Sequence, residues 1–448
     1  MIASWTDRRV REALGLEGGT DRTYGQVGTD TRTIGPGSLF VALSGEHHDA
    51  HDFLVGAHAA GATGAVVHRG TAAIDGLTFY EVDDTLHALG QLAAYRRRNF
   101  AGPVIGITGQ NGKTSTKEMV AAVLSTRWRT HRTRANQNNL VGVPLTILEA
   151  PADSEAWVVE AGANQPGEIA RYREIIKPDI AMVLNAGAGH LEGFGTVAGV
   201  VREKLSLSDN APLAIVGIVP PELAAGARSR ARRVVTAGLG DTDVHPDRVS
   251  VTAEGRAFVG VDGVEFTLAA RGLHQAGNAM FAWAAVRELD LDPVAAAQAL
   301  EAFTLPGGRG EVIAAGGLTI VNDSYNANPQ SFLSAIALTQ AMREHRRVVF
   351  VAGTMRELGP DASALHSEVA AALVAMQPDV LVVTGDFVAA FGSIGASFDG
   401  ILLKAPDAEA AGPLLAEVLQ GEELVVLKGS RGATLERILP FILPRMAS

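Results

Sequence analysis

The sequence predicts an α/β protein of three domains, two of them built on doubly wound parallel sheets. Three observations carry this. At 448 residues the chain is long enough for about three domains of ~150 residues each. A short β-branched run, 104–108, ends in a glycine turn, and helical spacing begins directly after it. Beyond residue 308, strand-like and helix-like stretches alternate in the rhythm of βα units.

Composition narrows the classes. Hydrophobic residues make up 47% of the chain and charged ones 19%, enough apolar material for real cores. A net charge of −11 argues against a general nucleic-acid binder, yet leaves room for local basic pockets. With no cysteine there is no disulfide framework and no zinc–thiolate site. No apolar run approaches the ~18 residues of a membrane span. The first residues, MIASWTDRRVREALG, carry charge where a signal peptide needs an apolar stretch. The expectation is a soluble, cytoplasmic protein.

Residues 1–98 read as a small mixed α/β domain. A strand is expected at 38–43, after the turn Gly35-Pro36-Gly37. Before it, Asp30 and Arg32 flank Thr31. An arginine there can grip a phosphate through two parallel donors, or simply pair with its neighbouring carboxylate at the surface. His47, His48 and His51 follow without a familiar metal-ligand spacing and read as solvated surface. Residues 57–68 pass from helix to strand, 85–97 are helical, and 99–102 read as a linker.

Residues 99–307 hold the stretch VIGITGQNGKTST (104–116). Gly109 and Gly112, with Asn111 between them, let a backbone approach phosphate oxygens, and the following helix N-terminus offers unpaired N–H groups. Lys113 can reach β- and γ-phosphates, and a hydroxyl at Thr114 or Ser115 can ligate Mg²⁺. Ile107 stands where the general phosphate-loop pattern has its first glycine, so an ordinary strand-to-helix turn is the competing reading. Asn136, Asn138 and Asn139 form a polar cluster that turn chemistry alone also explains. A strand at 156–159 ends in Glu160, and one at 178–184 ends in Asn185, with His190 beyond. Ligands of open α/β sheets sit outside the carboxyl ends of the strands, so Lys113, Thr114, Glu160 and His190 are expected around one crevice. Lys204, on a helix over 197–205, is by itself a solvated helix charge. Residues 250–266 suggest hairpin strands, and a helix starting at 272 carries His274, Gln275 and Asn278 in its first turns.

In residues 308–448 strands are expected at 318–321, 348–352, 380–384 and 424–427. Asp323, at the first strand end, can accept from ribose hydroxyls. Lys428 and Arg431 suit a carboxylate-bearing substrate, with a surface charge as the plain alternative for Arg431. Gly102 and Gly307-Gly308 are candidate hinges.

Taken together, TGQNGKTST, Glu160-Ala161-Gly162, Asn185 to His190, Lys204, GLHQAGN (272–278), Arg309 and NDSYNANP (322–329) stand in the order used by the Mur ligases. The chain resembles this family, the ATP-dependent amide ligases of peptidoglycan precursor synthesis, over nearly its whole length. The resemblance implies a UDP-precursor domain at 1–98, a P-loop-type ATP-binding domain at 99–307 and a Rossmann-like amine-substrate domain at 308–448. The stretches 136–148, 188–200, 322–329, 353–359 and 427–432 are similar to those of the member that joins D-alanyl-D-alanine to UDP-N-acetylmuramoyl-tripeptide. A related ligase with another amine, a folylpolyglutamate-type ligase and a catalytically inactive nucleotide-binding scaffold are the alternatives.

By the same resemblance, Asp30, Thr31 and Arg32 contact the UDP-sugar, and Asn138 belongs to the substrate site. Lys113 holds phosphates within the loop Gly109, Asn111, Gly112, Thr114 and Ser115. Thr114, Glu160 and His190 ligate Mg²⁺. Lys204 is a carbamylation site, where a carbamate reverses the sign of the ammonium and supports the metal. Lys113, Lys204 and His190 are the catalytic set. Asn278 contacts adenine, and Arg309 and Asp323 the nucleotide. Tyr325 and Asn326 border the cleft, with Asn328 and Arg431 toward the dipeptide. A monomer is expected. Gln275, Leu205-Ser206-Leu207 and Thr354 depart from the family pattern.

Overall fold

The computed structural model describes residues 5–45, 48–189 and 191–443. The first layer is a four-stranded parallel sheet in the order Val27–Gly28, Ser38–Val41, Ala62–His68, Thr78–Val82. Helix Thr85–Arg98 follows it, capped by the Asp84 carboxylate, which accepts from the His87 N–H. A buried polar knot ties this layer together. The Tyr24 and Tyr80 hydroxyls lie 2.7 Å apart, and Tyr80 donates to Asp7 at 2.7 Å. Thr20 supplies its N–H (2.8 Å) and hydroxyl (2.9 Å) to the same carboxylate, and Arg11 its Nε (2.9 Å). Burial favours the neutral acid, but these donors outweigh it and hold Asp7 down to about 2.

The loop histidines divide. His51 donates from Nδ1 to Asp49 at 2.6 Å, accepts the His68 N–H at Nε2 at 3.0 Å, and stacks on the His68 ring. It is therefore a structural residue rather than solvated surface. His48 is exposed, and His47 lies outside the described residues. Among the described residues, no three His, Asp or Glu side chains group as a metal site.

The stretch expected as a linker, 99–102, is a packed seam. Arg96 donates to the carbonyls of Leu148 and Ala150, at the end of helix Gly142–Leu148. Arg97 reaches the carbonyls of Ile176 (2.8 Å), Lys177 (2.9 Å) and Phe100 (3.1 Å), and the Asp179 carboxylate (2.9 Å), at the end of helix Glu168–Ile176. Two guanidinium groups thus occupy two helix C-termini, where orphan carbonyls and the negative dipole end call for cationic donors. Phe100 stacks on Trp157 with centroids 3.8 Å apart. A Cβ on Gly102 would overlap the Glu155 carbonyl. One apolar core runs without a break from Tyr24 through Leu92 to Trp157 and Val183. Gly102 is no hinge here.

The second layer is a six-stranded parallel sheet in the order Val234–Thr236, Leu213–Val216, Ile180–Val183, Val104–Thr108, Ala156–Glu160, Thr130–Arg132. Helices Lys113–Leu124 and Leu273–Glu288 share a core with one of its faces. Three antiparallel strands, Arg248–Val251, Arg256–Val261 and Val264–Arg271, extend the hairpin expected at 250–266.

The third layer runs Glu311–Ala315, Leu318–Asp323, Leu424–Lys428, Val348–Ala352, Val380–Thr384, Ile401–Ala405. All pairs are parallel except the first. That edge strand was not foreseen; it forms a hairpin on Gly316-Gly317, with Gly316 at φ +60°. The two cores of this layer draw only on residues 312–443.

Candidate active site at the sheet switch point

Strand Val104–Thr108 has neighbours on both sides, Ala156–Glu160 and Ile180–Val183, and the chain leaves it first toward one edge and later toward the other. A crevice opens outside the carboxyl ends at such a point. All five residues of the strand are buried, so the loop after it starts from a rigid base. Gly112 (φ +80°) caps the helix in the left-handed region, and a Cβ there would run into the Asn278 amide. The glycine is required both by the turn and by the close approach of Asn278. Asn185 fixes the loop further: its Oδ1 accepts the N–H of Gln110 (3.1 Å) and Asn111 (2.8 Å), and its Nδ2 donates to the Asn111 carbonyl at 3.1 Å.

The expected functional side chains converge here. Lys113 turns its Nζ back onto the loop carbonyls of Gly109 (2.9 Å) and Gln110 (3.2 Å). Burial lowers its pKa, the nearby Glu160 charge opposes that, and Arg309 adds to it. Thr114 Oγ1 donates to both Glu160 oxygens, at 3.1 and 3.3 Å, and Asn138 Nδ2 donates to Glu160 Oε1 at 2.8 Å. Of the two candidate hydroxyls, Thr114 is the one that meets the carboxylate; Ser115 is buried in the same helical turn. The asparagine cluster splits in function. Asn138 serves Glu160, while Asn139 Oδ1 accepts from the N–H groups of Val141 (3.2 Å) and Gly142 (2.8 Å) as a turn.

Two basic side chains are more deeply placed than their residue type suggests. Lys204 is 1% exposed, not a solvated helix charge. Its Nζ donates weakly to the Ala163 carbonyl at 3.4 Å and lies over the Phe194 ring. Burial, reinforced by the Lys113 charge and opposed by Glu203 and Glu168, brings it down to about 7. Lys117, one helical turn beyond Lys113 and fully buried, sets its ammonium 3.0 Å from Glu118 and 3.8 Å from Glu160. It is the countercharge for an otherwise buried carboxylate, and sequence reasoning missed it. The signal was its place on the face of the helix below Thr114, three residues on. Glu203, equally missed, accepts the N–H of Gly167 (2.8 Å) and Ile169 (2.7 Å) and so steadies the segment after Glu160. His190 lies outside the described residues.

The donor set fits a phosphate-borne Mg²⁺. Thr114 and Glu160 offer hard oxygens in one buried corner, and Mg²⁺ characteristically takes one or two such ligands together with phosphates and waters. An unmodified Lys204 ammonium has the wrong sign for a ligand there.

The opposite rim comes from residues 308–443. The Arg309 guanidinium carbon lies over the Tyr325 ring, 3.9 Å from its centroid, and Arg431 approaches the same ring at 5.9 Å with its side chain 70% exposed. Tyr325 N–H donates to the Gly308 carbonyl at 3.1 Å. Lys428 is 2% exposed and pairs with Asp323 at 2.9 Å, while donating to the Asn326 carbonyl at 2.6 Å. It braces the 323–326 loop and is not available to a substrate carboxylate, which corrects the expectation for it. Asn326 itself is exposed, and Asn328 is the N-cap of helix Pro329–Arg343. Asn278 is buried and donates to Gln275 Oε1 at 3.0 Å, so the unusual glutamine engages the residue it flanks. Thr354 Oγ1 accepts the Asp386 N–H at 3.0 Å. Far from these groups in sequence, Asp30 and Arg32 form a multiply bonded pair, 2.6 to 3.1 Å, at the carboxyl end of strand Val27–Gly28. The Arg32 hydrogen bonds hold Asp30 down to about 2. Thr31 sits in the turn between them, half-buried.

Comparison with known proteins agrees with this geometry. Family models match in three places: "Mur ligase family, catalytic domain" at residues 23–97, "Mur ligase middle domain" at 107–286 and "Mur ligase, glutamate ligase domain" at 308–431. UDP-N-acetylmuramoyl-tripeptide–D-alanyl-D-alanine ligase of Escherichia coli is 35% identical over 434 residues, 94% of each chain. The Bacillus subtilis ligase of the same name is 34% identical over 430 residues, 92% of each. A crystal structure of MurF from Acinetobacter baumannii superposes with a TM-score of 0.88 at 30% identity, covering 98% of this chain and 99% of the other. MurF from Thermotoga maritima, solved in complex with ADP, gives 0.82 at 27% identity, covering 94% and 98%. With its α/β layers in the family's order and its phosphate loop facing Glu160, the chain belongs to the Mur ligase family.

Proposed function

We propose that this protein is the ATP-dependent ligase that joins D-alanyl-D-alanine to UDP-N-acetylmuramoyl-tripeptide in peptidoglycan precursor synthesis. The observation that carries the reading is the convergence of Lys113, Thr114, Glu160 and Lys204 at one switch-point crevice, in a chain about one-third identical to ligases of that name over more than nine-tenths of its length. The reading assigns the UDP end of the precursor to residues 1–98, ATP to 99–307 and the amine to 308–448. It makes the protein a cytoplasmic monomer; no described helix is long and apolar enough to cross a membrane.

A carboxylate is a poor acyl donor because its charge resists attack. The terminal carboxylate of the tripeptide attacks the γ-phosphate of ATP, forming an acyl phosphate and releasing ADP. The dipeptide amine then adds to the carbonyl, and the tetrahedral adduct expels phosphate to leave the amide. Lys113 holds and neutralises the transferring phosphoryl group, while Asn185, which itself takes the N–H groups of Gln110 and Asn111, fixes the shape of the loop that presents the lysine. Thr114 and Glu160 would hold Mg²⁺, which supplies charge neutralisation on the phosphates. Lys204, with a pKa brought near 7, carries a neutral amine fraction able to take up CO₂ as a carbamate, and that modification would turn it from a repelled cation into a support for the metal site.

The test is phosphate release from Mg²⁺-ATP with UDP-N-acetylmuramoyl-tripeptide, with and without D-alanyl-D-alanine, and mass detection of the product. Release that requires the dipeptide, with a product heavier by one dipeptide, supports the assignment. Release driven by a different amine moves the enzyme within the family. ATP binding with no release for any donor overturns the ligase reading.

A further inference from the structure

On the reading above, the loop at 109–114 holds the nucleotide and residues 308–443 carry the amine. Hydrogen bonds between the two parts meet at Asn111 of the loop. Asn328 Nδ2 donates to Asn111 Oδ1 at 2.6 Å, and Asn111 Nδ2 donates to Gln330 Oε1 at 3.0 Å and to Asn328 Oδ1 at 3.3 Å.

The polarity of this set is dictated from one end. The Ser331 N–H donates to Asn328 Oδ1 at 2.9 Å, in the capping box that starts helix Pro329–Arg343. A backbone N–H can only donate, so Asn328 must turn its NH₂ outward, to Asn111. Asn111 must then meet it with its oxygen, and its own NH₂ is left for Gln330. Gln330 therefore acts only as an acceptor. From the other side, Asn185 grips the backbone of Asn111. One domain holds this residue by its main chain and the other by its side chain.

We infer that Asn111, Asn328 and Gln330 form an interdomain latch, in which Gln330 is a positioning residue that sets the amine-bearing domain over the phosphate loop without touching substrate. The inference rests on the ligase reading for its kinetic consequence, not for its geometry.

The test compares Gln330→Ala, Gln330→Lys and Gln330→Glu in the full chain. Gln330 is exposed, so all three retain the fold. Alanine and lysine remove the acceptor, whereas glutamate keeps it. Alanine and lysine should raise KM for D-alanyl-D-alanine and lower kcat, together by about two- to tenfold in kcat/KM, the worth of one neutral hydrogen bond. Glutamate should restore the rate to within about twofold. ADP affinity should stay unchanged, because Asn185 still holds the loop. In an Asn111→Ala background, Gln330→Ala should cost nothing further. Small-angle scattering should show a larger radius of gyration for ligand-free Gln330→Ala than for wild type. Equal activity in the alanine variant and wild type, equal losses in the alanine and glutamate variants, or additive losses with Asn111→Ala would overturn the latch. If the wild-type chain forms no amide with any amine, the ligase reading has failed separately, and an unchanged radius for Gln330→Ala then overturns the latch on its own.

Discussion

Replacing Arg97 by alanine tests whether the seam between the first two layers is a rigid joint. Its guanidinium, 9% exposed as a residue, serves three carbonyls and one carboxylate. Asp179 is half-exposed and rehydrates when the arginine is lost. The carbonyls of Ile176 and Lys177 close a helix and have no equivalent donor to turn to. Leaving such acceptors unpaired costs ~1–3 kcal/mol each, so a net loss of about 3 kcal/mol is expected once water has partly entered. A cooperative unit of about 300 residues has an unfolding entropy of ~0.6 kcal/mol/K, which turns that loss into a drop of about 5 °C in Tm. Arg97→Lys offers a point charge in place of a fork and should recover no more than about half of it. Scanning calorimetry at neutral pH reads both values. A Tm for Arg97→Ala within about 1 °C of wild type would refute the reasoning, because the seam would then owe its rigidity to the apolar core alone.

Four further outcomes are expected. Lys113→Ala should lose about 10²–10³-fold in turnover with an almost unchanged Tm, since its ammonium contacts only loop carbonyls; full activity would dismiss the phosphate role. Asn138→Ala unpins Glu160 and should raise the Mg²⁺ concentration needed for half-maximal activity by about tenfold in a metal titration, which an unaltered Mg²⁺ curve would contradict. Lys204 titrates near 7 in the folded chain but at ~10.4 unfolded, so above pH 7 the unfolded chain binds more protons and this residue adds stability as pH rises, approaching ~1.4 kcal/mol per unit. Urea unfolding should therefore show Lys204→Met most favoured over wild type near pH 6 and less so at each step to pH 9; a constant difference would count against it. Asp7, held near 2 against ~3.9 unfolded, contributes stability that is complete above about pH 4 and fades as pH falls to about 2. Thermal melts of Asp7→Asn should show a deficit at neutral pH that closes over that interval, and a gap of equal size at pH 7 and pH 2.5 would be the wrong answer.

Placement that depends on spacing was legible in the sequence. Gly109, Gly112, Lys113 and Thr114 lie within six residues, so local geometry alone brings them to one turn, and Glu160 joins them because a parallel sheet aligns its strand ends. Strands 348–352 and 380–384 were placed to the residue, since short valine-rich apolar runs read as strands buried on both faces. Long-range partners were not legible. Arg96 and Arg97 look like surface charge in YRRRN, and only the fold shows two helix ends waiting for them. Lys428 looked available for substrate until Asp323 was found beside it. The burial of Lys204 depends on Phe194 and the carbonyl of Ala163, contributed by two other segments. Asn328 was expected toward the dipeptide and Gln330 was not singled out, because Asn111, their partner, is more than 200 residues away.

The third layer keeps its two apolar cores to itself, whereas the first two layers share one. That asymmetry governs which pieces of this chain can be exchanged. A recombination point near Gly307-Gly308 cuts no core, so the C-terminal third can be grafted from a cousin enzyme and still fold on its own packing. A crossover at residue 98 would tear Leu92 and Tyr95 away from Phe100 and Trp157, and a first domain from another ligase would arrive with the wrong half of the interface. If the proposed domain roles hold, such a lineage can change its amine by shuffling, but its acyl donor only by slow substitution in place.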